Sequence, residues 1–170
     1  HYSRAIVRRY SAEQLADALS QATARPIPYQ GVPLGTRARD LAGVGAMLRR
    51  QGGPLAGDVW LRTTGRPQRL QSCECERSDE TTLAQAFQLI SGELVHQLTT
   101  DPANRIGQWP RDLDPAAALD DLFWSALSRG PTTQERTVLL ERLAAADDRT
   151  AAWQDVLWSL VTSHEFLLRR

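Results

Sequence analysis

The stretch that decides the fold is DPAAALDDLFWSALSRGPTTQERTVLLERLAAADDRTAAWQDVLWSLV, residues 114–161. Asp114 precedes Pro115, a pair that suits the N-cap and the first position of a helix. Thr132 is followed three residues later by Glu135, which is the pattern of a capping box. We therefore predict a helix that begins at Pro115 and is ended by Gly130-Pro131, and further helices over 132–146 and 150–168.

Apolar residues recur along these helices at the spacing of one buried face. The predicted buried stripe of the first helix is Leu119, Leu122, Phe123, Ala126 and Leu127, and that of the third is Trp153, Val156, Leu157, Leu160, Val161 and Leu167. Because the connections are short, neighbouring helices should run antiparallel, as in a bundle.

Upstream, the pattern predicts two more helices. One covers 10–23, with Ser11 as its cap and Gln14 as the capping-box partner. The other begins near residue 79 and carries Leu83, Phe87, Ile90, Leu94 and Leu98 on one face. Residues 24–36 hold three prolines and two glycines and should form a loop. The run from Val59 to Thr64 is the only strand-like one, and it is short and isolated.

These segments predict a mostly α fold, in which a proline- and glycine-rich N-terminal loop region packs on a C-terminal bundle of about four helices. We expect residues 1–170 to form a single domain, with a helix and an extended arm over 1–75 and the bundle over 76–170. No apolar run reaches the length of a membrane span, so we expect membrane association only through a partner.

Charge is balanced overall but unevenly placed along the sequence. All 20 basic residues are arginine, and they match 20 acidic residues. Residues 1–72 carry a net charge of about +7 and residues 73–170 about −7. Either the basic arm docks on the acidic body of its own chain, or it forms a face for a partner. No basic helix or nucleic-acid motif is present, so we expect no nucleic-acid partner.

Both cysteines, Cys73 and Cys75, lie in the stretch SCECER, residues 72–77. A disulfide between them is the favoured interpretation, although alpha carbons two residues apart in an extended chain stand roughly 6–7 Å apart, at the upper edge of the range. A redox-active pair is an alternative, but the glutamates around the pair would raise thiol pKa values. A metal site would need more ligands, with His96 and His164 as candidates. Two reduced, buried thiols are the remaining alternative.

Several stretches occur together in the order found in one family: GVPLGTRARDL (31–41), WLRTTGRPQR (60–69), CECERSDETTLAQAFQLISGELV (73–95), LFWSALSRGPTTQE (122–135) and VLWSLVTSHEFL (156–167). They resemble the C-terminal part of the planctomycete-type surface-protein domain, a family of unknown function that is usually found with planctomycete-type cytochrome c domains. The residues that match its signature are Arg37, Arg66, Pro67, Cys73, Cys75, Glu76, Arg77, Gln85, Ser163, Glu165 and Phe166.

The resemblance implies an exported bacterial protein, periplasmic or on the cell surface, with haem c in a neighbouring domain or partner. It supplies no catalytic residue. This chain has no Cys-x-x-Cys-His, the motif that attaches haem c, so we expect no cofactor in the chain itself.

Two functions compete. The first is a non-catalytic interaction or scaffold domain, an accessory subunit of a larger extracytoplasmic assembly that contains a haem protein or transfers electrons. Trp60 and Trp109 fall in predicted loops and are candidate interface residues, since tryptophan is enriched at interfaces. The alternative is a redox or hydrolytic enzyme module that uses Cys73 and Cys75 or a cleft built by the loops. We expect no catalytic residue and no metal ligand.

Overall fold

The computed structural model of the chain describes residues 8–41, 53–66 and 92–169. This part of the chain is mostly α-helical, which confirms the predicted fold class. In chain order the elements are β1 Arg8–Arg9, α1 Ala12–Thr23, α2 Ala56–Thr63, α3 Glu93–Thr100, α4 Pro115–Leu127, α5 Thr133–Ala144, α6 Arg149–Val161, α7 His164–Leu167 and β2 Leu168–Arg169. Short 3-10 turns cover Ala38–Asp40 and Ile106–Gln108.

Two compact units make up the chain. Unit 1 comprises His1–Arg9, Gln21–Arg25 and Gln97–Arg170, and unit 2 comprises Tyr10–Ser20 and Pro26–His96. Each unit therefore draws on more than one stretch of the sequence. The prediction that 1–170 is a single domain stays a prediction.

The caps predicted for α1, α4 and α5 are confirmed. Ser11 and Gln14 exchange hydrogen bonds at the start of α1, at 3.1 and 3.2 Å. The Asp114 carboxylate accepts from the backbone N–H groups of Ala116 and Ala117, with Pro115 at the first helical position. Thr132 and Glu135 form the capping box of α5. These bonds satisfy backbone donors that the first turn of a helix leaves without partners.

Helix α4 ends earlier than its sequence predicts. Its last residue is Leu127, and Ser128 adopts the left-handed conformation at φ 56° with its N–H donated to the Trp124 carbonyl. Ser128 therefore ends the helix in place of Gly130, and Pro131 lies beyond the end of the helix. The two-residue difference between Ser128 and Gly130 places Arg129 in the connection rather than on a helix.

The strand-like run from Val59 to Thr64, in which a lone strand was doubtful, forms no strand, because these residues belong to α2 and the turn that follows it. Isolated β-branched and aromatic residues do not fix a strand without a neighbour to pair with. Gly57 lets α2 approach its surroundings closely: a Cβ there would lie 2.6 Å from the Ile27 side chain and 2.6 Å from the Pro28 carbonyl oxygen. The buried face of α2 thus packs on the 27–29 loop.

In unit 1, helices α4, α5 and α6 pack against one another, and α7 packs on α4 and α6. The core consists of the buried residues Leu119, Leu122, Phe123, Leu143, Trp153, Val156, Leu157, Leu160, Val161 and Phe166. The predicted stripes of α4 and α6 supply most of it. An antiparallel two-residue ladder then joins β1 to β2, pairing Arg8 with Arg169 and Arg9 with Leu168.

The helix predicted from residue 79 lies partly outside the described residues. The described end of it is α3, on which Leu94 and Leu98 are both buried as predicted. Leu83, Phe87 and Ile90 are among the residues that the structure does not describe.

Candidate functional site

Six of the predicted signature and disulfide residues lie outside the described residues: Pro67, Cys73, Cys75, Glu76, Arg77 and Gln85. The four interpretations of the cysteine pair therefore stay as stated. The structure does place the other candidates, Arg37, Trp60, Arg66, Trp109, Ser163, Glu165 and Phe166.

Arg66 ties a loop to α1 inside unit 2. Its Nε lies 3.6 Å from Glu13 Oε1, and its NH2 group donates to the Leu41 carbonyl at 3.0 Å. Both charged side chains are about nine-tenths buried, at 9% and 10% exposure. Removing one member of such a pair would leave a buried charge without its partner, which is strongly destabilising. The contacts assign Arg66 to holding the fold of unit 2 together.

Asp58 and Tyr29 extend this buried polar cluster. Asp58 Oδ2 accepts from the backbone N–H groups of Gln30 at 2.8 Å and Leu55 at 3.0 Å, so it caps α2 and fixes the preceding loop. Burial raises the pKa of the Tyr29 phenol well above its usual value, and the negative charge of Asp17 adds to the shift, while Arg66 opposes it. The buried Tyr29 phenol therefore stays neutral at ordinary pH.

Trp60 lies on α2 and is 1% exposed, so the inference that it occupies a loop is wrong. It is among the largest fully buried side chains of the described residues. A core position cannot present the indole to a partner while unit 2 stays folded. The candidate interface role of Trp60 is therefore not compatible with its burial in this structure.

Arg37 is exposed at the start of the Ala38–Asp40 turn. Its Nε pairs with Asp40 at 3.1 Å, and both side chains are more than half exposed. The turn itself is held by Asp17, which accepts from the backbone N–H of Ala38 at 2.7 Å. Exposed pairs of this kind contribute little stability.

Trp109 is half-buried in the loop before α4, where the sequence predicted it. Its ring packs edge-on against Trp153, with centroids 5.1 Å apart, and its indole N–H donates to Asp121 at 2.8 Å. The other oxygen of Asp121 pairs with Arg105 at 3.1 Å. Both polar and apolar parts of Trp109 are thus used within unit 1.

Arg105 closes the end of α1. Its Nε and NH2 groups donate to the carbonyls of Ala22 and Gln21 at 2.8 and 2.9 Å, and its backbone N–H donates to Thr23 at 2.8 Å. The last carbonyls of a helix lack partners within the helix and carry partial negative charge, so a guanidinium is well suited to them. The same side chain reaches Asp121 on α4, so one arginine joins α1 to α4.

Arg129 is the centre of a second charged cluster, which we call the clasp and which comprises Arg129, Glu135 and Glu165. Arg129 makes two bonds to Glu135, at 2.8 and 2.9 Å, and two to Glu165, both at 2.8 Å. It also donates to the Gly130 carbonyl at 3.0 Å. A guanidinium has five N–H donors, so these bonds use all of them. Its carbon atom Cζ also lies 5.4 Å from the centre of the Phe123 ring.

The electrostatics of the clasp follow from these bonds. Hydrogen bonding to Glu165, and to a smaller extent to Glu135, raises the pKa of Arg129 above its usual value. Hydrogen bonding from Arg129 lowers the pKa of Glu135 from 4.5 to about 2, helped by Thr132 and opposed by partial burial. The Glu135 carboxylate therefore stays ionised over the ordinary pH range, and its charge stays paired with that of Arg129.

The three C-terminal signature residues belong to one local structure. Ser163 caps α7 by accepting from the Phe166 N–H at 3.2 Å, and its hydroxyl donates to the Leu160 carbonyl at 2.7 Å. Glu165 joins the clasp, and Phe166 is 4% exposed. Arg105 and Arg129 were not among the predicted site residues. The only signal for Arg129 was its place next to a capping box whose glutamate it binds.

Charge balance is restored within each unit. Among described residues, unit 1 holds ten arginines and eleven carboxylates, and unit 2 holds four arginines and five carboxylates. The separation of charge along the sequence disappears because unit 1 takes in both basic N-terminal and acidic C-terminal residues. The Arg25–Asp101 pair, at 3.0 Å, is one such contact.

Two large aromatic side chains of unit 1 face solvent. Trp124 on α4 is 61% exposed, and Trp158 on α6 is 38% exposed. Trp124 follows the buried Phe123 by one residue, which turns it about 100° away around the helix. Neither was among the predicted interface residues, because only tryptophans in predicted loops were chosen, although both lie outside the predicted buried stripes.

Within residues 8–41, 53–66 and 92–169 no three histidine, cysteine or carboxylate side chains come together as a metal site. His164 is exposed at the start of α7. No described helix is long and apolar enough to cross a membrane. Comparisons of the chain with protein-family models, curated proteins and solved structures each found no match.

Proposed function

We propose that this chain is a non-catalytic interaction domain, which uses the surface around the exposed Trp124 of unit 1 to bind a protein partner. The supporting observation is that Trp124 is exposed while the arginines of unit 1 described above are bound within the fold. Arg105 is engaged at the end of α1 and Arg129 is bound to two carboxylates, whereas Trp124 presents a large indole to solvent. Buried tryptophan contacts are among the commonest hot spots of protein interfaces.

The wider context is proposed from the sequence resemblance alone. A relative of the planctomycete-type surface-protein domain would act outside the cytoplasm, beside a haem-bearing domain or partner. In an oxidising compartment Cys73 and Cys75 would form their disulfide. The intact mass of protein purified from its native host tests this, after denaturing alkylation with iodoacetamide without and then with reductant. Free alkylation of both cysteines before reduction would overturn the disulfide and weaken the argument for export.

Site-specific photo-crosslinking tests the interaction surface. A benzophenone amino acid placed at Trp124 should give one reproducible cross-linked species in cells of the native host. The same group at Gln134, exposed on α5, serves as the matched control and should not. Lysine-directed reagents are unsuitable because the chain has no lysine.

A competition arm separates the interaction from chance collisions. Added wild-type protein should reduce the cross-link from position 124, and added Trp124→Ala protein should not. Equal labelling from positions 124 and 134, or equal competition by both proteins, would overturn the proposal. Cross-linking that depends on Cys73 and Cys75, lost in the Cys73→Ser/Cys75→Ser variant, would instead favour the rival function at the cysteine pair.

A further inference from the structure

Residues 163–169, which we call the strap, form the C-terminal end of unit 1. The strap consists of the four-residue helix α7 and the two-residue strand β2. Helices shorter than about 12 residues and isolated strand pairs are marginal in water. The strap therefore keeps its shape through contacts with the rest of unit 1.

Among the described residues, those contacts are of three different kinds. Phe166 is buried where α7 packs on α4 and α6, Glu165 binds Arg129 through two bonds, and the backbone of β2 pairs with β1. The strap joins α6 through Thr162 and Ser163, where the helix is interrupted. Ser163 has extended backbone, with φ −68° and ψ 152°, so the strap is attached to α6 through a residue that belongs to neither helix.

The remaining helices do not depend on the strap for their ends. Helix α4 is capped by Asp114, α5 by Thr132 and α6 by Asp148, and their shared core includes Leu119, Leu122 and Leu157. If Glu165 leaves, Arg129 still holds two bonds to Glu135. The guanidinium is thus kept in place by a partner on α5.

We propose that the strap opens as a unit while α4, α5 and α6 stay folded, with the Arg129–Glu165 pair as its latch. Proteins open locally in units with few buried contacts at a lower free energy than global unfolding. Opening withdraws Phe166 and uncovers the apolar surface of α4 and α6 beneath it, beside the guanidinium of Arg129. This device is independent of any partner at Trp124.

Hydrogen exchange measured by mass spectrometry on the full chain tests the proposal. In wild-type protein, exchange of a peptide covering 164–169 should be nearly insensitive to low urea, while exchange of 153–161 in α6 should rise steeply. Glu165→Gln should speed exchange of the strap peptide by up to about fivefold, as expected for a half-exposed ion pair. Exchange of the α6 peptide should change less than twofold.

Two further variants make the test specific. Ser163→Ala removes the cap of α7 and should also speed strap exchange selectively. Glu135→Gln alters the same guanidinium from α5 and should leave strap exchange within twofold of wild type. Equal urea dependence of the strap and α6 peptides would overturn the proposal. Equal acceleration of the strap by Glu135→Gln and Glu165→Gln would show that Glu165 is not a separate latch.

Discussion

Replacement of Arg105 by alanine should destabilise unit 1 more than replacement of an exposed arginine such as Arg37. The change removes two charge-assisted hydrogen bonds to the last carbonyls of α1 and one ion pair to Asp121. Because the side chain is partly exposed, we assign about 1 kcal/mol to each carbonyl bond and about 0.5 kcal/mol to the ion pair. The expected loss is about 2–3 kcal/mol.

Urea unfolding followed by circular dichroism at 222 nm and by tryptophan fluorescence measures this loss, with Trp109 as a nearby reporter. For a chain of this size the loss corresponds to a fall in Tm of roughly 4–12 °C. Arg105→Met keeps much of the apolar stem and should lose nearly as much, since the stem makes none of these bonds. Arg37→Ala is the control, because among the described residues it breaks an exposed pair with Asp40, and it should change stability by less than about 0.5 kcal/mol.

The reasoning is refuted if Arg105→Ala and Arg105→Met both remain within about 0.5 kcal/mol of wild type. That result would mean that water satisfies the end of α1 as well as the guanidinium does. If the two compact units unfold in separate steps, the transition that shifts should be that of unit 1, which contains four of the five tryptophans.

The other predictions concern close packing, acid stability and capping. Gly57→Ala should lower the free energy of unfolding in urea by about 1–2 kcal/mol, because the new Cβ would collide with the 27–29 loop. Gly53→Ala is the control and should be near neutral, since a Cβ there meets nothing within 4 Å. Equal effects of the two changes would contradict the close approach at Gly57. The folded pKa of Glu135 is depressed to about 2, so its stabilisation is present above pH 4.5 and is lost as the pH falls towards 2. Urea midpoints measured from pH 7 to 2.5 should therefore fall less steeply with decreasing pH in Glu135→Gln than in wild type. Glu141→Gln, at an exposed position on the same helix, should leave this pH dependence unchanged. An unchanged pH dependence in Glu135→Gln would argue against the clasp. Asp114→Ala should lower the free energy of unfolding by about 1 kcal/mol, because it removes the N-cap of α4. Asp112→Ala, in the exposed loop before α4, should change it little. Equal shifts in Tm for the two variants would refute the capping role.

The helical class and the helix starts could be predicted from sequence because their causes are local. Asp114, Ser11 and Thr132 bond to backbone groups two or three residues away, so the pattern itself contains both partners. The buried stripes of α4 and α6 follow from residue spacing for the same reason.

The errors arose where the decisive contact is distant in the sequence. Trp60 and its neighbours form a helix whose close approach to the 27–29 loop depends on Gly57, some 30 residues away. The bond from Arg129 to Glu165 spans 36 residues and that from Arg105 to Gln21 spans 84. No local pattern connects such partners, so neither cluster could be assembled from the sequence.

The direction of the β1–β2 ladder determines how the fold would respond to mechanical force. Arg8 lies opposite Arg169 and Arg9 opposite Leu168, so the chain enters β1 and leaves β2 at the same end of the ladder. Tension applied at Arg8 and Arg169 would break the hydrogen bonds of the ladder one after another, instead of loading all of them at once in shear. The load would then pass to Phe166 and the Glu165–Arg129 pair before it reached α4 or α6. Unit 1 should therefore yield to pulling first at its C-terminal end and at low force, with its three long helices still intact.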